Sequence, residues 1–156
     1  VSRSGADLAL LLLGGYRKLV DAAIQELSAR GYQDFRPVHD FAMRSIASGA
    51  DSASDLGRRM SVTKQAAAKT IAVLIQRGYI TRTDDPSDAR RKRLEVTDLG
   101  WEVMHEGEAI FNQLRSDWEA AVGRDGLAAL EAQLDEFVGD SHVRPDDPGW
   151  VSHGLG

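Results

Sequence analysis

Four consecutive leucines, Leu10 to Leu13, sit inside a segment whose apolar residues return at helical spacing, and no other stretch constrains the fold as much. Ala9, Leu12, Tyr16, Leu19, Ala23 and Leu27 recur three and four residues apart, which predicts one long helix over residues 6–30. Leu8, Leu10, Leu11 and Leu13 make its first half apolar on other faces too, and a helix hydrophobic nearly all round needs cover on more than one side. In a chain of 156 residues a second subunit is the expected cover. The run Ala6 to Gly15 is about half of the ~20 residues a membrane span needs. No small-x-small cleavage site follows it, so it reads as part of the folded protein and not as a leader or a membrane anchor.

With 42% apolar and 28% charged residues, the chain can bury a core of its own as one domain or at most two small ones. The absence of cysteine excludes disulfides, thiolate metal sites and a cysteine nucleophile, and it fits a cytoplasmic setting. The net charge of −5 conceals a segregation. Residues 1–51 carry six basic and six acidic side chains, residues 52–93 carry ten basic and four acidic, and residues 94–156 carry three basic and fourteen acidic. The middle third is therefore built to meet an anion, while the rest keeps the protein soluble.

The fold class expected is mainly α, with about six helices and one β-hairpin. Gly31 ends the first helix, and Pro37 opens a short one over Val38 to Ala47, with Phe41 and Ile46 turned inward. Ser52 begins a third, Asp55 completing a variant of the capping box, with Leu56 and Met60 inside. Thr63 caps a fourth that runs to about Arg77 and stops at Gly78. Two short helices joined in this way read as a helix-turn-helix. Tyr79 to Thr83 and Lys92 to Val96 are rich in β-formers and flank a polar stretch, Asp84 to Arg91, which predicts a hairpin with a long irregular tip. Thr97 caps a long helix to about Val122 with Leu99, Val103, Ile110, Leu114 and Trp118 along one face. Asp125 caps a last helix whose seam is Leu127, Leu130, Leu134 and Phe137, and the final fifteen residues read as a frayed tail.

On the fourth helix Ala67, Ile71, Leu74 and Gly78 form the expected buried stripe, and Gln65, Lys69, Ala72 and Gln76 fall opposite. That outer face has no acid, and Ala68 and Ala72 keep it narrow, as a helix entering the major groove requires. Arg90, Arg91, Lys92 and Arg93 follow on the hairpin, joined by Arg82, with Lys92 on the face opposite Arg93. An arginine at a hairpin tip can reach the minor groove, where a narrow A·T-rich stretch favours its charge. A basic run alone is more often a solvated face, and a bare helix-turn-helix pattern is unspecific. Their adjacency inside the one basic segment is what points to nucleic acid.

These residues carry a family resemblance. The stretch DPSDARRKRLEVTDLG, residues 85–100, resembles the wing signature of the multiple antibiotic resistance regulator (MarR) family. TKQAAAKTIAVLIQRGYI, residues 63–80, is similar to that family's recognition helix and its turn into the wing. The resemblance implies a homodimeric winged helix-turn-helix regulator, a repressor or an activator with repressor the preferred reading, acting on a pseudo-palindromic operator, with double-stranded DNA as its partner. Residues 1–48 and 97–139 would form the dimerisation base, 49–96 the DNA-binding lobe and 140–156 a flexible tail. Thr63, Lys64, Gln65, Ala68 and Lys69 would face the major groove, with Ser52 and Ser54 at the start of the preceding helix. Arg82, Arg90, Arg91 and Lys92 would serve the wing, Arg90 as its minor-groove reader. Asp88 would brace the wing through an arginine or, as an ordinary turn residue, bond its own backbone. Ala67 and Ala68 stand where serine is common in the family.

The resemblance also implies release by a small aromatic or phenolic ligand, for which Tyr16, Arg36, His39, Phe41, Trp101, Met104 and His105 are the candidates. The same residue types serve equally as interhelical core. Glu102, His105 and Glu106 share a helical face and with His39 have the donor types of a metal site, but a solvated acidic face is the commoner reading, and neither metal nor cofactor is expected. There is no glycine-rich phosphate loop and no nucleophile elbow, so no enzyme is expected. The alternative class is a winged-helix protein-interaction module or a non-specific DNA-binding protein.

Overall fold

Ser4 starts the first helix through reciprocal bonds with Asp7: its hydroxyl accepts the Asp7 amide at 3.1 Å, and the Asp7 carboxylate accepts the Ser4 amide at 3.0 Å. In the computed structural model, which describes residues 2–141, this helix is α1, Gly5–Ala29. It is followed by α2 (Pro37–Ala47), α3 (Ala53–Met60), α4 (Lys64–Gln76), β1 (Ile80–Asp85), β2 (Asp88–Val96), α5 (Asp98–Val122) and α6 (Arg124–Val138), with a last helical turn at Gly139–Ser141. The mainly α winged architecture is as the sequence predicts, and the helix boundaries agree to within a residue or two. The frayed tail expected at the C-terminus lies almost wholly outside the described residues.

The core gathers Met43 of α2, Leu56 of α3, Ile71 and Leu74 of α4, Ile80 of β1 and Val103 of α5, all fully buried. From α1 only Ala23 and Leu27 join it. Arg30 donates to Glu106 at 2.5 Å and the Tyr32 hydroxyl donates to Glu102 at 2.8 Å, fastening the end of α1 to α5. The start of α1 is largely uncovered: Leu8, Leu10, Leu11 and Leu12 are 56%, 64%, 52% and 41% exposed. The apolar stripe is therefore continuous in sequence while its burial stops halfway.

Five local expectations need correcting. The hairpin has no long tip, because the strands run on to Asp85 and from Asp88, leaving Pro86 and Ser87 as the turn. Asp84 lies opposite Lys92 and Asp85 opposite Asp88, so Ala89, Arg90 and Arg91 are extra residues on β2 where the register breaks. Carboxylates hold this corner: Asp85 accepts the Ser87 amide and hydroxyl at 2.9 and 2.7 Å. Asp55 does not complete a capping box. Ser52 accepts its amide at 3.1 Å, and its carboxylate instead pairs with Arg58 and Arg59, whose guanidinium groups hold it below the usual carboxylate range against the opposing effect of burial. Asp125 lies within the first turn of α6, whose cap is Gly123 at φ +88°. Gly78 is exposed and leaves the α4 stripe, since its φ of +77° makes it the helix stop. Leu99, Trp118 and Phe137 also stay exposed on their helices.

Candidate nucleic-acid interface

The geometry of α4 begins with Thr63, whose hydroxyl accepts the Ala66 amide at 3.0 Å and sets the start of the helix. Its approach to α3 depends on Gly57, where a Cβ would stand 2.9 Å from the Val62 carbonyl oxygen. Ala67, Ile71 and Leu74 are buried, which turns Lys64, Gln65, Ala68, Lys69, Ala72 and Gln76 outward together, all exposed. The outer face is polar, narrow and free of acid. Ser52 is half-buried and spent on the α3 cap, whereas Ser54 is exposed on that helix.

The wing divides the basic run. Lys92 pairs across the hairpin with Asp84, and Arg91 reaches Asp51, in the loop before α3, at 3.1 Å. Arg82 and Arg90 are exposed and enter none of the ion pairs among the described residues. Asp88 follows the turn reading: its carboxylate accepts the Arg90 backbone amide at 3.0 Å, and among the described residues no arginine side chain pairs with it. The missed residue is Asp51, and an acid separated in sequence from the cluster gave no signal of its partner.

A cavity of about 230 Å³ opens between α1, α2 and α5. Of the seven ligand candidates it brings together Tyr16, Arg36, Phe41 and Met104, with Phe35 and Phe111 completing the aromatic walls. His39 is not in it. That side chain is buried, with Nδ1 accepting the Arg36 amide at 2.9 Å, and burial and the neighbouring Arg77 push its pKa down to about 4. Trp101 and His105 stack on each other outside the cavity, ring centroids 6.2 Å apart. Asp40 and Arg44 line the cavity unforeseen, paired at 2.7 Å; burial lifts the Asp40 carboxyl above its usual range although the Arg44 bond opposes this. Their i,i+4 spacing beside Phe41 was the available signal. Glu102 and Glu106 are engaged by Tyr32 and Arg30, and among the described residues no three histidines or carboxylates gather as a metal site.

Tandem helices with an exposed acid-free second member, followed by a two-stranded basic hairpin, define a winged helix-turn-helix protein. The model of the MarR family matches residues 42–91, the segment carrying α3, α4 and most of the wing. The HTH-type transcriptional regulator BilQ of Clostridioides difficile is 32% identical over 95 residues, covering 61% of this chain and 60% of that protein. The chain thus spans less than two thirds of the length of that relative. Among solved structures, an S. aureus MepR mutant bound to an oligodeoxyribonucleotide superposes with TM-score 0.62 at 14% identity, over 90% of this chain and 100% of that one. The reduced form of MarR from E. coli gives 0.65 at 19%, over 88% and 99%. At such identities the two structures share the fold. Through its helix-turn-helix segment the chain is similar to the MarR family.

Proposed function

We propose that this protein is a sequence-specific DNA-binding transcriptional regulator of the cytoplasm, a repressor that binds a pseudo-palindromic operator as a homodimer. One observation carries the reading: the exposed, acid-free face of α4 stands next to a wing on which Arg90 is exposed and, among the described residues, in no ion pair. Lys64, Gln65 and Lys69 read base edges and phosphates in the major groove, and Arg90 enters the minor groove. Ala68 and Ala72 let the helix approach closely. That the MepR mutant of the same fold is bound to an oligodeoxyribonucleotide supports this use of the wing and helix. Residues 1–48 and 97–139 supply the dimerisation base and 49–96 the reading lobe. A small aromatic or phenolic ligand enters the cavity beside Tyr16, Arg36 and Phe41 and releases the operator.

The test is selection from a pool of random duplex DNA by the purified protein at two salt concentrations, followed by sequencing. A two-fold symmetric motif whose retention falls steeply with salt is the expected result. Retention without an enriched motif, or none at physiological salt, overturns the reading in favour of a non-specific or protein-binding role.

A further inference from the structure

Two adjacent residues of the cavity wall also hold the exit of α4. Phe35 is buried, lines the cavity, and meets Tyr79 edge-on with ring centroids 5.9 Å apart; Tyr79 is the residue by which the chain leaves Gly78 for β1. Arg36 lines the same cavity, and its Nε donates to the Asp34 carboxylate at 2.6 Å. Asp34 in turn reaches α4. Its backbone carbonyl accepts a guanidinium N–H of Arg77 at 3.1 Å, and its carboxylate lies 3.8 Å from that side chain's other nitrogen. Arg77 is the C-terminal cap of α4. Asp34 adopts φ +50°, a left-handed conformation that few side chains other than Asn and Asp accept readily.

On its other side the same joint is fixed by Thr97, whose hydroxyl donates to the Gly78 carbonyl at 2.5 Å and whose amide donates to that of Tyr79 at 3.0 Å. The exit of α4 is therefore held from the wing by Thr97 and from the cavity by Phe35 and Asp34. Two cations, Arg36 and Arg77, share one carboxylate, and only the first comes from the cavity wall.

We propose that Asp34 is a positioning residue that couples the cavity wall to the end of the outward-facing helix α4. When Arg36 is withdrawn from Asp34, the carboxylate closes on Arg77 and tightens the helix exit. The latch belongs to the free protein; its consequence for an operator rests on the DNA-binding function proposed above.

Amide hydrogen exchange of the full chain reads it without DNA or ligand. The amides of Arg77, Gly78 and Tyr79 donate to Val73, Ile75 and Leu74 at 3.0, 3.0 and 2.9 Å and report the exit. Asp34→Asn keeps a side chain suited to the left-handed backbone and removes the charge. These three amides should then exchange about threefold faster, with the α3 amides unchanged. Arg36→Gln should slow them by a similar factor, and in the Asp34→Asn background should do nothing, because the residues act through one carboxylate. Arg77→Lys, which keeps the charge but not the two-nitrogen fork, should resemble Asp34→Asn. Unchanged exchange in Asp34→Asn and Arg77→Lys, or the same effect of Arg36→Gln in both backgrounds, overturns the latch. If exchange responds as expected while the parent retains no duplex DNA, the latch stands and the DNA-binding function falls.

Discussion

At the scale of single residues, the joint between α4, the wing and α5 leaves no room at Gly100. A Cβ there would stand 2.2 Å from the Tyr79 carbonyl oxygen and 2.8 Å from Val96 Cγ1, and the first of these is backbone that cannot swing away. Gly100→Ala should cost about 3 kcal/mol or more, seen as a lowered urea midpoint at unchanged slope. His39 gives a pH signature. Its folded pKa of about 4 lies below the ordinary histidine value of 6.5, so between these values the unfolded chain holds a proton that the folded chain does not. The stability this provides is complete above pH 6.5, falls as the pH drops toward 4, and amounts to roughly 3 kcal/mol. Unfolding at pH 7 and pH 4.5 should show the parent losing more stability than His39→Asn, which keeps an acceptor for the Arg36 amide but does not titrate. Equal losses in the two proteins would remove His39 as the cause.

At the scale of elements, the wing, residues 80–96, converts nine charged residues of both signs into a surface with few available cations. Asp84 occupies Lys92 and Asp51 occupies Arg91, so on the proposed DNA reading the wing tip contributes mainly Arg90. Arg90→Ala should weaken duplex binding and reduce the steepness of log affinity against log salt by about one. Asp51→Asn should do the reverse, because Arg91 becomes available to a phosphate; a slope unaffected by either change would exclude the wing from the interface. The helices were legible in advance because caps and periodic burial are local: Ser52 and Thr63 mark helix starts in sequence as plainly as in space. The wing tip was not. Strand pairing here continues through Asp84, Asp85 and Asp88, residues with poor strand propensity, because cross-strand charge and side-chain bonds to backbone amides replace hydrophobic alternation. Of the cavity, Tyr16, Arg36, Phe41 and Met104 were legible from the family resemblance. His39 was misassigned because a buried histidine and a ligand-facing one look alike in one dimension.

At the scale of the whole molecule, the chain divides into a lobe that satisfies itself and an apolar surface that does not. The six largest fully buried side chains come from α2, α3, α4, β1 and α5, so the lobe has its core without help from the start of α1. Leu8, Leu10, Leu11 and Leu12 on α1, Val122 at the end of α5 and Phe137 on α6 remain exposed, with Phe137 at 78%. Burying a leucine stabilises by about 1.5–3 kcal/mol, which gives the pairing of two such surfaces a strong driving force. This is the surface assigned above to the homodimer. Replacing Leu10 and Leu11 together by Glu should therefore yield a monomer in sedimentation equilibrium, while far-UV circular dichroism and the exchange protection of α3 and α4 stay those of the parent. Because each protomer keeps its own α4 and wing, affinity for a single half-site should persist, and only the gain from a second, symmetric half-site should vanish. A double variant that remains dimeric would move the interface elsewhere on the chain. One that becomes monomeric yet still prefers the symmetric site would separate the dimer from the recognition it is proposed to serve.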